Sequence, residues 1–356
     1  MEMDDSRRNA HRRMVQGLDD GARGCSNVWT AIRARAPRPG QAVCPPAARL
    51  VVVLLAAVLL ADRAPAVERK LIAHGWDLLA VRPADVAAHL DEWAALPVAG
   101  VSLRVRARTP EGTPLDSTTI FTDPPWHLEW MTNEIAAVRA CAARTLRSNL
   151  LVAYWSGARR LPWTDDAAWA RVAHNHAVLA RIAREGAAIG LMVDPEDYQA
   201  TRQFTRMPDD PPWPEVEALA RRRGRELMAA MGAQFPDLVL LSFWLLSFNG
   251  DILRAADPAA AAREEGDLWP AFVNGLLDAL PPAARLVDGD EHAYRYEAAR
   301  CDFLRGAWRT HVRACELVAP EHRSTYASRV LAGFGIYLDM YVNPPDSPWY
   351  FGEYRG

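Results

Sequence analysis

The pattern of apolar and polar positions changes character twice along the 356-residue chain. Residues 1–49 are polar and rich in Arg, Pro and Gly, with no sustained apolar period, and read as a leader outside the fold. Residues 50–61 then form one unbroken apolar run. From Lys70 onward, short apolar runs of strand type alternate with longer stretches of helical period. Strands are predicted at 71–76, 100–105, 149–155, 189–193, 238–244, 285–288 and 330–338. Helices are predicted between them at 83–96, 128–147, 165–185, 214–231, 268–280 and 294–318. Pro83 suits a first helical turn, and Thr164 is the expected cap of the third helix.

Repeated βα units with no G-x-G-x-x-G turn favour a TIM-type (β/α)8 barrel over a dinucleotide-binding sheet. The strand pattern stops at seven, because only a Pro-rich loop and Trp349-Tyr-Phe-Gly-Glu-Tyr-Arg-Gly356 follow Asp339. The expected fold is therefore a single barrel domain over 67–356, lacking its eighth strand. Strands one and seven should then face each other across an open seam. An open, doubly wound sheet is the alternative.

The apolar run 50–61 is shorter than the roughly 20 residues a spanning helix needs. It follows Arg49 and precedes Ala64-Pro65-Ala66, so 50–66 reads as a secretory signal peptide cleaved near Ala66. Secretion or a periplasmic location follows, with an uncleaved anchor through 50–61 as the alternative. The long polar leader also leaves room for translation to begin at Met14.

Charge narrows the function. A formal net charge of −3 with no basic stripe gives no reason to expect nucleic acid. Lys70 is the only lysine among 41 basic residues, and the run Arg221–Arg223 reads as a solvated helix face. Cys141, Cys301 and Cys315 are the cysteines beyond the leader. Their spacing matches neither a disulfide framework nor a zinc site, and Cys301 and Cys315 read as small core residues. His174 and His176 lie two apart on a helix and cannot chelate together, and His74 has no H-x-H partner. There is no G-x-S-x-G elbow. No metal and no cofactor are expected.

The ends of the predicted strands carry the chemistry. His74-Gly75-Trp76-Asp77 ends the first strand, and Arg104 lies in the second. Tyr154-Trp155 ends the third, and Asp194-Pro195-Glu196-Asp197-Tyr198 the fourth. Phe243-Trp244 ends the fifth, Asp288-Gly289-Asp290-Glu291-His292 the sixth, and Tyr337-Leu338-Asp339 the seventh. In parallel α/β proteins that is the end where ligands bind. Carboxylates from four strands and tryptophans from three collect there. Indole faces cover the apolar faces of sugar rings, and paired carboxyl groups supply acid and nucleophile or base.

At this point the chain resembles a family of exported bacterial (β/α)8 proteins labelled glycoside-hydrolase-like. Its members pair a first strand ending Gly-Trp-Asp with a fourth ending Asp-Pro-Glu-x-Tyr, here Gly75-Trp76-Asp77 and Asp194-Pro195-Glu196-Asp197-Tyr198. The resemblance covers the whole predicted barrel and implies hydrolysis of a glycosidic bond, with a carbohydrate as partner. A non-catalytic carbohydrate-binding or structural barrel is the alternative. In the largest glycosidase barrel clan an acid/base Glu ends strand four and a nucleophilic Glu ends strand seven. Glu196 matches the first position, and Asp339 stands at the second. Chitinase-like barrels carry D-G-x-D-x-D-x-E on strand four, of which Gly190, Asp194 and Glu196 match.

Glu196 is accordingly expected to donate the proton, with Asp194 two residues earlier tuning it. The opposing carboxylate is expected from Asp339, Asp290 or Glu291. Trp76, Asp77, Arg104, Trp155, Tyr198, Trp244 and His292 are expected to bind substrate.

Overall fold

A computed structural model describes residues 70–197, 200–296, 300–338 and 343–347. The leader, the apolar run 50–61, Tyr198 and Asp339 lie outside these residues. Among the described residues, no helix is long and apolar enough to cross a membrane.

Each of the seven apolar runs forms a strand, and all seven join one parallel sheet. They are β1 (Ile72–Ala73), β2 (Gly100–Leu103), β5 (Leu150–Tyr154), β6 (Gly190–Asp194), β7 (Val239–Ser242), β8 (Arg285–Asp288) and β9 (Val330–Ala332). An unforeseen antiparallel hairpin, β3 (Arg106–Arg108) and β4 (Pro114–Asp116), occupies the long loop after β2. The sheet order is β1-β2-β5-β6-β7-β8-β9, each strand beside its predecessor in the sheet. A doubly wound sheet reverses its strand order at a switch point, and this one does not.

The sheet is also curled. Four strand spacings separate β1 from β7, about 19 Å across a flat sheet. Yet the His74 ring, just past β1, lies 4.8 Å from the ring of Phe243, just past β7. Ile72, Leu150, Val152, Met192, Leu241 and Phe243 share one small interior cluster. The alternate residues, among them Leu103, Leu151, Leu191, Leu240 and Leu286, face outward into the main core beneath the helices. The result is a curled, parallel α/β sheet compatible with a TIM-like barrel lacking a strand. Among the described residues no pairing joins β1 to β9. At inward positions on that side Val287 is only half-buried and Leu331 is 47% exposed.

The helices depart from the expected ones where local hydrogen bonding intervenes. The 83–96 helix breaks into Pro83–Ala88 and Leu90–Ala94. The His89 ring nitrogen Nδ1 bonds the Asp85 carbonyl, the acceptor its own amide would take in a continuous helix. Asp165, not Thr164, caps Asp166–Glu185 by accepting from the Ala168 amide at 2.9 Å. Between β7 and the Trp269–Asp278 helix, two further short helices appear, Gly250–Arg254 and Pro258–Glu265. The single helix expected over 294–318 is instead a 3-10 turn at Glu291–Arg295, a helix at Arg300–Trp308 and π and 3-10 turns to Leu317.

Helices Trp213–Gln234 and Trp269–Asp278 cross at two glycines. A Cβ on Gly224 would stand 2.0 Å from the Phe272 carbonyl oxygen, and one on Gly275 1.9 Å from that of Arg221. Arg223 is not solvated as expected. It is 2% exposed and donates to the Trp163 carbonyl and to Asp166. Cys301 is exposed and so is not a core residue, whereas half-buried Cys315 packs against the edge of the main core.

Candidate active site

Strand alternation decides which end residues enter the mouth of the curled sheet. On β5, Leu150 and Val152 point inward, so Tyr154 does too. Trp155 takes the opposite face. It is fully buried, donates from Nε1 to His176 Nε2 at 3.1 Å, and packs edge-to-face on Trp269 and Phe272. The expected substrate platform is thus a core residue beneath the helices.

On β6 the same parity sends Met192 and Asp194 inward. Asp194 lies directly beside Tyr154 in the sheet. Its carboxylate is 1% exposed and accepts the Glu196 amide at 2.8 Å, spanning Pro195, which has no amide to offer. Ser156 Oγ donates to the Glu196 carbonyl at 2.6 Å, and the Trp155 amide to the Asp194 carbonyl at 2.7 Å. Glu196 is therefore held by its backbone on both sides, with its half-buried side chain in the mouth.

Beyond β8 the carboxylates divide by face. Asp288 points outward, fully buried, and accepts from the amides of Leu245 and Ser247 and the Ser247 hydroxyl. Burial raises its pKa. Asp290 is buried as well, with φ of 37° in the left-handed region. It accepts from Tyr296 OH at 2.6 Å and Arg309 Nη2 at 2.9 Å. Asp290 is thus committed to a buried ion pair and does not supply the opposing carboxylate.

Glu291 is the carboxyl group that reaches the mouth. Tyr337, on the segment after β9, donates its hydroxyl to Glu291 Oε1. That segment is fastened alongside by the Gly333 amide on the Asp288 carbonyl, 2.7 Å, and by Tyr294 stacked on Tyr337 at 5.0 Å. Burial pushes the Glu291 carboxyl up to about 7, with the Glu196 charge adding to the rise and the Tyr337 hydrogen bond opposing it. Burial, and then the charges of Glu291, Glu196 and Asp194, likewise raise the Tyr337 phenol. Tyr154 is raised by burial first and by Asp194 next. Asp194, Glu196 and Glu291 with Tyr154, Tyr294 and Tyr337 therefore form one electrostatically coupled group.

The other expected contacts are distributed around this group. Trp76 and Asp77 do not end a strand, because they open the short helix Trp76–Ala80. Arg104 is committed to Asp116 of the hairpin, with Nε at 2.7 Å and Nη2 at 2.5 Å, and also donates to the Leu79 carbonyl. Trp244 packs against the main core and stacks on Phe248 at 4.3 Å, and Phe248 on His292 at 4.6 Å, with His292 3.9 Å from Asp290. Burial lowers the pKa of His292 to about 4. Tyr154, Tyr294 and Tyr337 were missed as site residues, though counting alternate positions from Val152 finds Tyr154.

Among the described residues, no group of three His, Cys, Asp or Glu side chains is arranged to hold a metal ion. A hollow of about 260 Å³ lies outside the barrel, lined by Trp126, His127, Glu129, His174 and Arg181. It faces none of the mouth carboxylates. No family model and no curated protein matches the chain.

Proposed function

We propose that the chain is an exported barrel of the (β/α)8 type, one strand short, that hydrolyses a glycosidic bond. Glu291 is the proton donor and Glu196 the opposing carboxylate. The observation that carries the reading is a pair of half-buried carboxyl groups at one end of the sheet, Glu291 bonded through Oε1 to the Tyr337 hydroxyl and Glu196 fixed by its backbone to Asp194 and Ser156, with burial raising the Glu291 pKa. A carboxyl group that retains its proton, facing a second carboxyl group, is what acid-assisted glycosyl transfer requires. The roles are reversed from those expected on sequence. Asp194, cast as the tuning charge, is engaged by the Glu196 backbone amide.

Glu291 Oε1 accepts from Tyr337, so the transferable proton resides on Oε2. Protonation of the glycosidic oxygen leaves a Glu291 carboxylate that the Tyr337 hydrogen bond stabilises. Glu196 then attacks the anomeric carbon directly or activates a water. A separation of about 5–5.5 Å between the two carboxyl groups gives retention, and about 6.5–9.5 Å inversion. Tyr337, bonded to Glu291, supplies an aromatic surface for sugar C–H groups beside the reacting bond.

Turnover of activated aryl glycosides, beside natural oligosaccharides, tests the assignment. Glu291→Gln is expected to cost about 10²–10⁴-fold on an oligosaccharide, and less on an aryl glycoside whose leaving group needs little protonation. Glu196→Gln should lose both. Unchanged turnover of the oligosaccharide by Glu291→Gln removes Glu291 from the mechanism. A non-catalytic carbohydrate-binding barrel is the second reading, favoured by β1 and β9 edges that, among the described residues, pair with no further strand. Binding without turnover by the wild-type chain would select it. Export rests on residues 50–66, and N-terminal sequencing of secreted material is expected to begin near Val67.

A further inference from the structure

Ser102 sits on the inward face of β2 and is 3% exposed. Its hydroxyl has one side-chain partner among the described residues, His74 Nδ1 at 2.8 Å. A hydroxyl carries one donor hydrogen, and a buried donor left without an acceptor is costly. The hydrogen therefore goes to Nδ1. An imidazole whose Nδ1 accepts carries its own proton on Nε2, on the side of the ring away from Ser102. The Phe243 ring, 4.8 Å from that of His74 and inclined by 69°, restrains the imidazole from across the barrel. Phe243 is one residue beyond the Val193–Ser242 pair and so stands beside Asp194. His74 keeps exposed surface at this mouth. Crowding by protein atoms pushes its pKa down to about 4, an effect tempered by that exposure.

We propose that His74 is a ligand-contacting residue that presents a fixed Nε2–H donor to an uncharged oxygen acceptor, a sugar hydroxyl, and that Ser102 sets its tautomer. The inference rests on the carbohydrate reading of the mouth and adds to it a specificity determinant on β1. An imidazolium would have to donate from Nδ1 to Ser102, stranding the serine hydrogen. The neutral ring is thus the form compatible with the buried hydroxyl, and it selects for a hydroxyl over a carboxylate at this position.

Two measurements separate this inference from the reading beneath it. Nitrogen-15 NMR of histidine-labelled protein, with the His74 signal assigned by its loss in His74→Gln, needs no ligand. It is expected to show a neutral ring protonated at Nε2 at pH 7. A proton on Nδ1, or an imidazolium at that pH, overturns the proposal. Aryl glycosides and their monodeoxy analogues supply the second measurement. His74→Phe is expected to raise KM by about 3- to 10-fold, the effect of one neutral hydrogen bond, with a smaller change in kcat. One deoxy analogue should lose affinity for the wild type and lose none for His74→Phe. Equal losses in both proteins for every analogue refute the contact while leaving Glu196 and Glu291 in place. Failure of every glycoside to bind the wild-type chain overturns both readings.

Discussion

Replacing Glu291 by Gln tests the electrostatics of the mouth without any substrate. The Glu291 carboxyl moves from its ordinary 4.5 in the unfolded chain to about 7 in the fold, mainly through burial. Between those values the folded protein holds a proton that the unfolded chain has released, so wild-type stability falls as pH rises through this window. Gln has the same shape and does not titrate. Each tenfold change in proton affinity corresponds to about 1.4 kcal/mol. The full span therefore corresponds to about 3 kcal/mol, an upper bound because the side chain is only partly enclosed. The two proteins should unfold at similar denaturant concentrations at pH 4. By pH 8 Glu291→Gln should be the more stable by about 1–3 kcal/mol. Urea unfolding at half-unit steps from pH 4 to 8 measures the difference directly. A difference that stays flat across that range would show that Glu291 is not held in a proton-retaining environment, and the donor assignment would fall with it.

The same protonation predicts that kcat/KM on an oligosaccharide declines as pH rises through about 7, because the donor form is lost. A profile still rising at pH 8 contradicts this. Arg309→Met leaves Asp290 buried without its cation and should destabilise the fold by about 3–5 kcal/mol, read from chemical denaturation. Gly275→Ala drives a methyl group into the Arg221 carbonyl and should cost about 1–3 kcal/mol or more, whereas a change below about 0.5 would show that the helices separate freely. Trp155→Phe should lower thermal stability and leave glycoside KM unchanged, while Tyr154→Phe, at the mouth, should raise KM with little loss of stability.

The sheet was legible because seven apolar runs of strand length, separated by helical periods, have few other ways to bury themselves. The carboxylate end was legible for the same reason, since every strand in a parallel sheet ends on the same side. What the sequence obscured was which face each end residue takes. Trp155 stands one position from Tyr154, and the strand period of two sends those neighbours in opposite directions, whereas Asp290 and Glu291 lie past the strand end and are parted by the left-handed turn at Asp290. The strand interior, where Val152 and Met192 are apolar like Leu151 and Leu191, offers no polar alternation from which to read that parity. Helix ends failed for a different cause, competition from side chains such as those of His89 and Asp165 for backbone groups. The Arg309–Asp290–Tyr296 network was invisible, because its members lie 19 and 6 residues apart along turns that have no repeating pattern.

The sequential order of the strands has a kinetic consequence. Each strand of the sheet finds its partner in the βα unit before or after it, so pairing can grow by accretion, unit on unit, as a chain leaves the ribosome. The mouth cannot form that way. His74 meets Phe243, and Ile72 shares a cluster with Leu241, only after the intervening chain has been made and curled. Contacts of such long range are slow to close. An early intermediate would therefore hold β1 and β2 paired, with the interior faces of both still wet. The rim that carries His74 would be among the last parts of the molecule to acquire its native surroundings.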